Sequence, residues 1–120
     1  MPFSFAPSFL VLRRLAVPAL LLASGLSVGG ANAADEAAQM ALGKKLFSSI
    51  TPACALCHTL KDAGAEGTIG PALNDLKPDA ARVSKALHEG LGVMPSFKDM
   101  LTEAEIDALA LYVSKASRLP

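Results

Sequence analysis

The sequence predicts a small all-α domain of three to four helices packed around one covalently attached group. Three segments carry apolar residues at helical spacing, and proline or glycine residues separate them. Between the first two lies Cys54-Ala55-Leu56-Cys57-His58. Two cysteines separated by two residues, with histidine directly after the second, are the spacing of c-type haem attachment. Each thiol would form a thioether with the haem, and His58 would become an axial ligand of its iron.

Other interpretations of this motif are weaker. A thioredoxin-type thiol pair would need a strand-helix pattern that the sequence does not show. A structural zinc ion needs about four nitrogen or sulfur ligands, and the sequence offers only Cys54, Cys57, His58 and His88. Binding one tetrahedral ion through both Cys57 and its neighbour His58 would be strained. A Cys54–Cys57 disulfide would close a very short loop and constrain little of the unfolded chain.

The amino terminus has the three-part layout of a secretory signal peptide. Arg13-Arg14 precedes an apolar run from Leu15 to Val28, which a proline interrupts, and small residues end at Ala33. We predict a signal peptide over residues 1–33, periplasmic export, and one domain over residues 34–120. The alternative is an uncleaved membrane anchor, for which the run is somewhat short.

Composition and length limit the kind of partner and the stability of the domain. The chain has 120 residues and eleven residues of each charge, and two of its basic residues lie in the predicted signal peptide. The mature domain is therefore net negative, which argues against a nucleic-acid partner. A domain of this size is marginally stable with an apolar core alone, so we expect the bound haem to act as a nucleus of the fold.

The first helix is predicted over Asp35–Ile50, because acidic residues favour its start and apolar residues recur at helical spacing. Gly43 interrupts good helix formers, which makes sense if another helix crosses closely there. Thr51-Pro52 ends the helix. Lys61–Gly70 contains three glycines and is predicted to be a loop.

The second helix is predicted to begin at Pro78 and to end at Glu89, with Gly90 as its terminator. His88, near its end, is predicted to be a solvated residue rather than an iron ligand. The following loop contains Met94, a soft thioether ligand that favours ferrous iron. Met100 is the competing candidate, and methionines often simply fill a core.

The last helix is predicted from a capping box formed by Thr102 and Glu105, with Leu101 and Ile106 as a hydrophobic staple. Tyr112 is expected to pack where Gly43 leaves room. Only the first few mature residues and the tail Ser117–Pro120 are expected to be loose.

By these motifs the mature sequence resembles the class I monohaem cytochromes c. The resemblance implies the small cytochrome c fold, in which the first and last helices cross, and one haem c per chain. It implies His58 and Met94 as the two axial ligands of the iron. It also implies that the carbonyl of Pro71, which on the residues alone is an ordinary turn proline, accepts a hydrogen bond from His58. The run from Gly70 through Lys98 is similar to haem subunits or electron acceptors of bacterial sulfite dehydrogenases.

The resemblance implies a one-electron carrier with no catalytic residues. Redox proteins are the expected partners, among them a sulfite dehydrogenase and a terminal oxidase or another cytochrome. One alternative is a permanent haem subunit of a larger oxidoreductase, and another is a haem enzyme or gas sensor with an open iron site. Membrane association is expected only if the signal segment is uncleaved. Four lysines are candidates for a docking rim: Lys44, Lys45, Lys61 and Lys98.

Overall fold

The computed structural model describes Met1 and residues 29–120. This part of the chain is mainly helical, which confirms the predicted all-α class. The helices are α1 (Gly29–Ser49), α2 (Cys54–Cys57), α3 (Leu73–Leu76), α4 (Ala80–Glu89) and α5 (Glu103–Ala116).

Part of the predicted loop over residues 61–70 is instead ordered as a short hairpin. Strand β1 (Thr59–Leu60) pairs antiparallel with strand β2 (Ala65–Glu66), and a 3-10 turn at Lys61–Ala63 connects them. Strands of two residues and helices of one turn, such as α2 and α3, are too short to show a periodic pattern. Their existence therefore had to come from the structure.

Helices α1 and α5 cross at Gly43. A Cβ atom at this position would clash with the carbonyl oxygen of Ala108 and would lie 2.5 Å from Cβ of Tyr112. One turn further along α1, Phe47 packs edge-on against Tyr112 with 6.0 Å between the ring centroids. The predicted crossing at Gly43 is thus confirmed, and so is the predicted position of Tyr112.

Two predicted helix starts were wrong. Helix α1 begins at Gly29 rather than Asp35, and alanine, the best helix former, is frequent in the added segment. It runs through Ala33, the predicted cleavage site, while residues 2–28 of the predicted signal peptide lie outside the described residues. Helix α4 begins at Ala80 because Asp79, not Pro78, provides its start. The carboxylate of Asp79 accepts a hydrogen bond from the backbone N–H of Arg82 at 2.7 Å.

The carboxy-terminal helix begins as predicted. The side chain of Thr102 accepts from the N–H of Glu105, and the carboxylate of Glu105 accepts from the N–H of Thr102, which together form a capping box. The expectation of a loose tail was wrong. Ser117 is fully buried, and the guanidinium of Arg118 donates to the carbonyls of Lys77 and Pro78 at 2.9 Å. These carbonyls precede α4, so the chain end is tied to the middle of the domain.

The buried side chains form one cluster that draws on α1, α4, α5 and the segments between them. Within residues 29–120, no helix combines the length and the apolar character that a membrane crossing requires.

Candidate functional site

A cavity of about 990 Å³ opens between α2, α4 and the segments that follow them. Its volume is at the upper end of the range for sites that hold small molecules, ~300–1,000 Å³. Most of its surface is apolar. Every site residue predicted from the sequence lines it: Cys54, Cys57, His58, Pro71 and Met94.

The two cysteines occupy the ends of α2. Cys54 and Cys57 are three residues apart, so their side chains lie on the same face of the helix. Both are free thiols, without a disulfide. Burial raises the pKa of the Cys54 thiol to about 11, and the nearby Cys57 adds to the effect. The site therefore presents the two cysteine side chains, side by side, to the cavity.

His58 follows directly and is oriented by the chain that returns beneath it. Its Nδ1 lies 2.9 Å from the carbonyl oxygen of Pro71. Because a carbonyl can only accept, the proton of the neutral ring lies on Nδ1. Nε2 then keeps its lone pair, which is the arrangement of an imidazole that binds a metal.

Two glycines make this close return possible. A Cβ atom on Gly70 would lie 2.8 Å from Nδ1 of His58, and one on Gly67 would lie 2.6 Å from the carbonyl carbon of Cys57. The N–H of Gly70 also donates to the carbonyl of Cys57 at 2.7 Å. The sequence indicates these glycines only as loop formers and gives no sign of their packing role, because a glycine-rich segment does not show what approaches it.

Met94 lines the cavity from a tight turn after α4. Leu91 and Met94 exchange two backbone hydrogen bonds, each 3.0 Å long. Gly90 has φ of 73° and a Cβ atom there would lie 2.8 Å from the carbonyl oxygen of Met94, so this position requires glycine. The side chain of Met94 is thus presented by a closed loop.

The same loop covers the free carbonyls at the end of α4. The hydroxyl of Ser96 donates to the carbonyl of His88 at 2.6 Å, and the N–H of Phe97 donates to the carbonyl of Leu87 at 2.7 Å. The last carbonyls of a helix have no partner within it, so these bonds attach the Met94 loop to α4. The role of Ser96 could not be predicted from the sequence, since a serine in a loop gives no signal of its partner.

The competing ligand candidates do not line the cavity. Met100 is 51% exposed and lies beyond the loop. His88 points to α5, where its Nε2 lies 3.0 Å from the carboxylate of Glu103. Its Nδ1 lies 2.8 Å from the carbonyl of Ser84, and this bond together with Glu103 raises the pKa of the ring. His88 therefore lies outside the cavity, half-buried and paired with Glu103 rather than simply solvated.

The cavity suits haem c better than a bare metal ion. Across residues 29–120, no three histidine, cysteine or acidic side chains cluster closely enough to hold a metal. The lining instead combines two thiols, an imidazole and a thioether with apolar walls, which is the donor set of a covalently attached haem.

This fold and this cavity define a class I c-type cytochrome. The chain belongs to the family described as cytochrome C oxidase, cbb3-type, subunit III, whose model matches residues 38–113. Its sequence is 34% identical over 111 residues to cytochrome c6, chloroplastic, of Chlamydomonas reinhardtii, covering 84% of this chain and 67% of the relative. Its structure is similar to the crystal structure of the c-type cytochrome SorU from Sinorhizobium meliloti. That match has a TM-score of 0.65 and 50% identity, and covers 68% of this chain and 93% of SorU.

The family establishes the general chemistry of the chain. It is an electron-transfer protein that carries haem c, in agreement with the prediction, and it exchanges electrons with other redox proteins. The lysines predicted as a docking rim do not line the cavity, and Lys44 is paired with Asp62 at 3.0 Å. Among the described residues, the cationic side chains of the lining are those of Arg82 and Lys85.

Proposed function

We propose that residues 34–120 are a periplasmic one-electron carrier, exported by a signal peptide over residues 1–33. Cys54 and Cys57 would hold one haem through thioether bonds, and His58 and Met94 would be the two protein ligands of its iron. The observation that carries this proposal is that all four side chains line one apolar cavity. Bound there, haem supplies an iron centre that gains or loses one electron.

The chain's own residues then set the properties of the centre. The hydrogen bond from His58 to Pro71 at 2.9 Å fixes the orientation of the ring and strengthens it as a donor. Met94 supplies a neutral, soft thioether, which raises the reduction potential relative to a second histidine. With both sides occupied by protein ligands, no substrate needs to reach the metal.

The experiment is the optical spectrum of the ferric and ferrous protein, exported together with haem-attachment machinery. We expect a weak ferric band near the red edge that is lost in Met94→Ala and kept in the control Met100→Ala. Loss in Met100→Ala instead would overturn the ligand assignment. A five-coordinate spectrum in the wild type would favour the gas sensor or enzyme alternative. The mass of the exported protein tests cleavage after Ala33.

We further propose a sulfite dehydrogenase as the electron donor and a terminal oxidase or another cytochrome as the acceptor. The support is the similarity of residues 70–98 to haem proteins that serve such dehydrogenases. Mixing the ferric protein with a purified bacterial sulfite dehydrogenase and sulfite should produce the ferrous spectrum within the mixing time of the assay. Reduction no faster than with sulfite alone would overturn this donor.

A permanent subunit of a larger oxidoreductase is the second candidate. Two observations favour it: the family is described as an oxidase subunit, and the side chains of Leu56 and Val93 are 67% and 87% exposed. Exposed apolar side chains are common at interfaces between subunits. Gel filtration of the protein from its native source separates the two candidates, since a carrier elutes at the size of the free chain and a subunit elutes with its complex.

A further inference from the structure

Helix α4 carries a charged edge along the cavity. Its residues Val83, Ala86 and Leu87 line the cavity with apolar surface. Arg82, Lys85 and Glu89 also line it, and their spacing of three and four residues places them together along one edge of the helix. Helix α4 thus presents an apolar face with a charged margin to whatever occupies the cavity.

The rest of the described lining has little charge. Apart from this edge, its titratable side chains are Cys54, Cys57 and His58 on the α2 side, and its loops contribute uncharged residues. The two cations of the margin are therefore the places in the described lining where a negatively charged group of the occupant can be neutralised.

The two cations differ in their partners. The ammonium of Lys85 is paired with Glu89 at 2.7 Å, one turn further along the helix. For Arg82 the backbone N–H donates to Asp79, but its guanidinium has no hydrogen bond or ion pair to any residue that the structure describes. Arg82 is thus the cation of the lining that remains available to a ligand.

We propose that the guanidinium of Arg82 binds a propionate of the haem. This inference rests on the proposed attachment of haem at Cys54 and Cys57. Haem carries two carboxylates, and Arg82 is exposed where it lines the cavity, so that its guanidinium can pair with one of them. Guanidinium binds carboxylates through two parallel hydrogen bonds, which an ammonium cannot form. Arg82 would therefore add a positive charge beside one propionate and near the iron.

Two electrochemical consequences follow. A cation beside the propionate favours its ionised form, so the propionate keeps its charge to lower pH. Because the propionate binds its proton more tightly when the iron is ferrous, the midpoint potential falls with pH across the range where the propionate titrates. With Arg82 in place, that range lies at low pH. The positive charge of Arg82 also favours the ferrous state, because ferrous iron carries one positive charge less than ferric iron and is repelled less.

The experiment measures midpoint potential against pH, by spectroelectrochemistry, for the wild type, Arg82→Gln and Arg82→Lys. The matched control is Lys45→Gln, which removes one positive charge from an exposed position outside the cavity. In Arg82→Gln we expect the pH-dependent range to move up by about one pH unit and the potential at neutral pH to fall. Arg82→Lys should recover part of both changes, and Lys45→Gln should leave the pH-dependent range in place.

The outcomes separate this inference from the proposed function. A wild-type protein without covalently bound haem overturns both. If every variant has the wild-type ferric and ferrous spectra but Arg82→Gln has the same potential profile as Lys45→Gln, the proposed function stands and the role of Arg82 is refuted.

Discussion

The two walls of the cavity are built in different ways. We define the His58 wall as residues 54–74 and the Met94 wall as residues 87–97. The His58 wall is tied to distant parts of the chain. The hydroxyl of Tyr112 on α5 donates to Asp62 at 2.7 Å, Lys44 on α1 pairs with Asp62 at 3.0 Å, and the amide of Asn74 donates to the carbonyl of Ser117 at 3.3 Å.

The hydrogen bonds of the Met94 loop join neighbours in sequence, while Leu87 and Phe97 at the two ends of this wall are buried in the core. Leu91 bonds Met94, Ser96 bonds His88 and Phe97 bonds Leu87, so that each of these partners lies within ten residues of the other. Segments held by local contacts open at a lower free energy than segments tied into the whole core. His58 is therefore placed by bonds to distant elements and Met94 by a loop with local hydrogen bonds, and we expect the Met94 loop to open at the lower free energy.

The largest expected effect comes from Gly70→Ala on the His58 wall. The added Cβ would lie 2.8 Å from Nδ1 of His58, and the ring cannot move without losing its bond to Pro71. Overpacking of this kind costs about 1–3 kcal/mol. We expect unfolding at lower denaturant concentration, measured by the loss of the haem absorbance band, together with a changed ligand spectrum.

The matched control for this variant is Gly64→Asn. Gly64 has φ of 61°, a conformation that asparagine tolerates, and a Cβ atom there meets no atom within 4 Å. If Gly64→Asn and Gly70→Ala lower the stability equally, the close packing of Gly70 against His58 is not what holds this wall.

A smaller and more local effect is expected from Ser96→Ala. The variant removes the 2.6 Å bond to the carbonyl of His88 and leaves that carbonyl without its partner. Such a loss costs about 1 kcal/mol. If this loss of stability is confined to the Met94 wall, the affinity of added imidazole, which displaces Met94 from ferric iron, should rise about fivefold. The unfolding of the His58 wall should change little.

The control for Ser96→Ala is Ser49→Ala, at the exposed end of α1. Imidazole affinity should be unchanged in this variant. Equal effects of Ser96→Ala on imidazole binding and on global unfolding would mean that the two walls open together. That result would contradict the expectation that the Met94 wall opens at a lower free energy than the His58 wall.

Acid should weaken the His58 wall. The hydrogen bond from Tyr112 and the contact with Lys44 lower the pKa of Asp62 below its ordinary value. Since the folded state holds this proton less tightly than the unfolded state, the stabilisation is full at neutral pH. It is lost as the pH falls below about 4, through the folded pKa. Asp62→Asn should flatten the acid limb of a plot of denaturation midpoint against pH, and an unchanged limb would exclude Asp62 as its cause.

A rise in pH should weaken the Met94 wall, and this is the smallest of the four effects that we predict for the two walls. The bond to the carbonyl of Ser84 and the carboxylates of Glu103 and Asp107 raise the pKa of His88. The folded state therefore binds this proton more tightly, and the contribution is full below about pH 6.5 and is lost as the pH rises through the folded pKa. Imidazole titrates in the same range, so its affinity is expressed per concentration of neutral imidazole. On that scale it should bind slightly more tightly above the range, a change that His88→Gln removes. A pH response retained in His88→Gln would point to another group.

The sequence was most informative where one short pattern has one physical meaning. The capping box at Thr102 and Glu105 depends on neighbouring residues, and the structure contains it. Gly43 implied a close crossing, because glycine is costly inside a helix unless something needs the space. The sequence was least informative about partners far along the chain. It did not link Asp62 to Tyr112, Ser96 to His88, or Arg118 to the carbonyls before α4.

The sequence by itself determined the class of the protein, since thioether attachment requires two cysteines and a histidine at a spacing that few other functions use. It also proposed Met94 as the second ligand. Only the tertiary structure decided which residues meet across the cavity: that Gly70 lies against His58, that the Met94 loop is attached to the end of α4, and that Arg82 lines the wall. The physical reason is that attachment chemistry is local, whereas a cavity is made by segments that pack together only when the chain has folded.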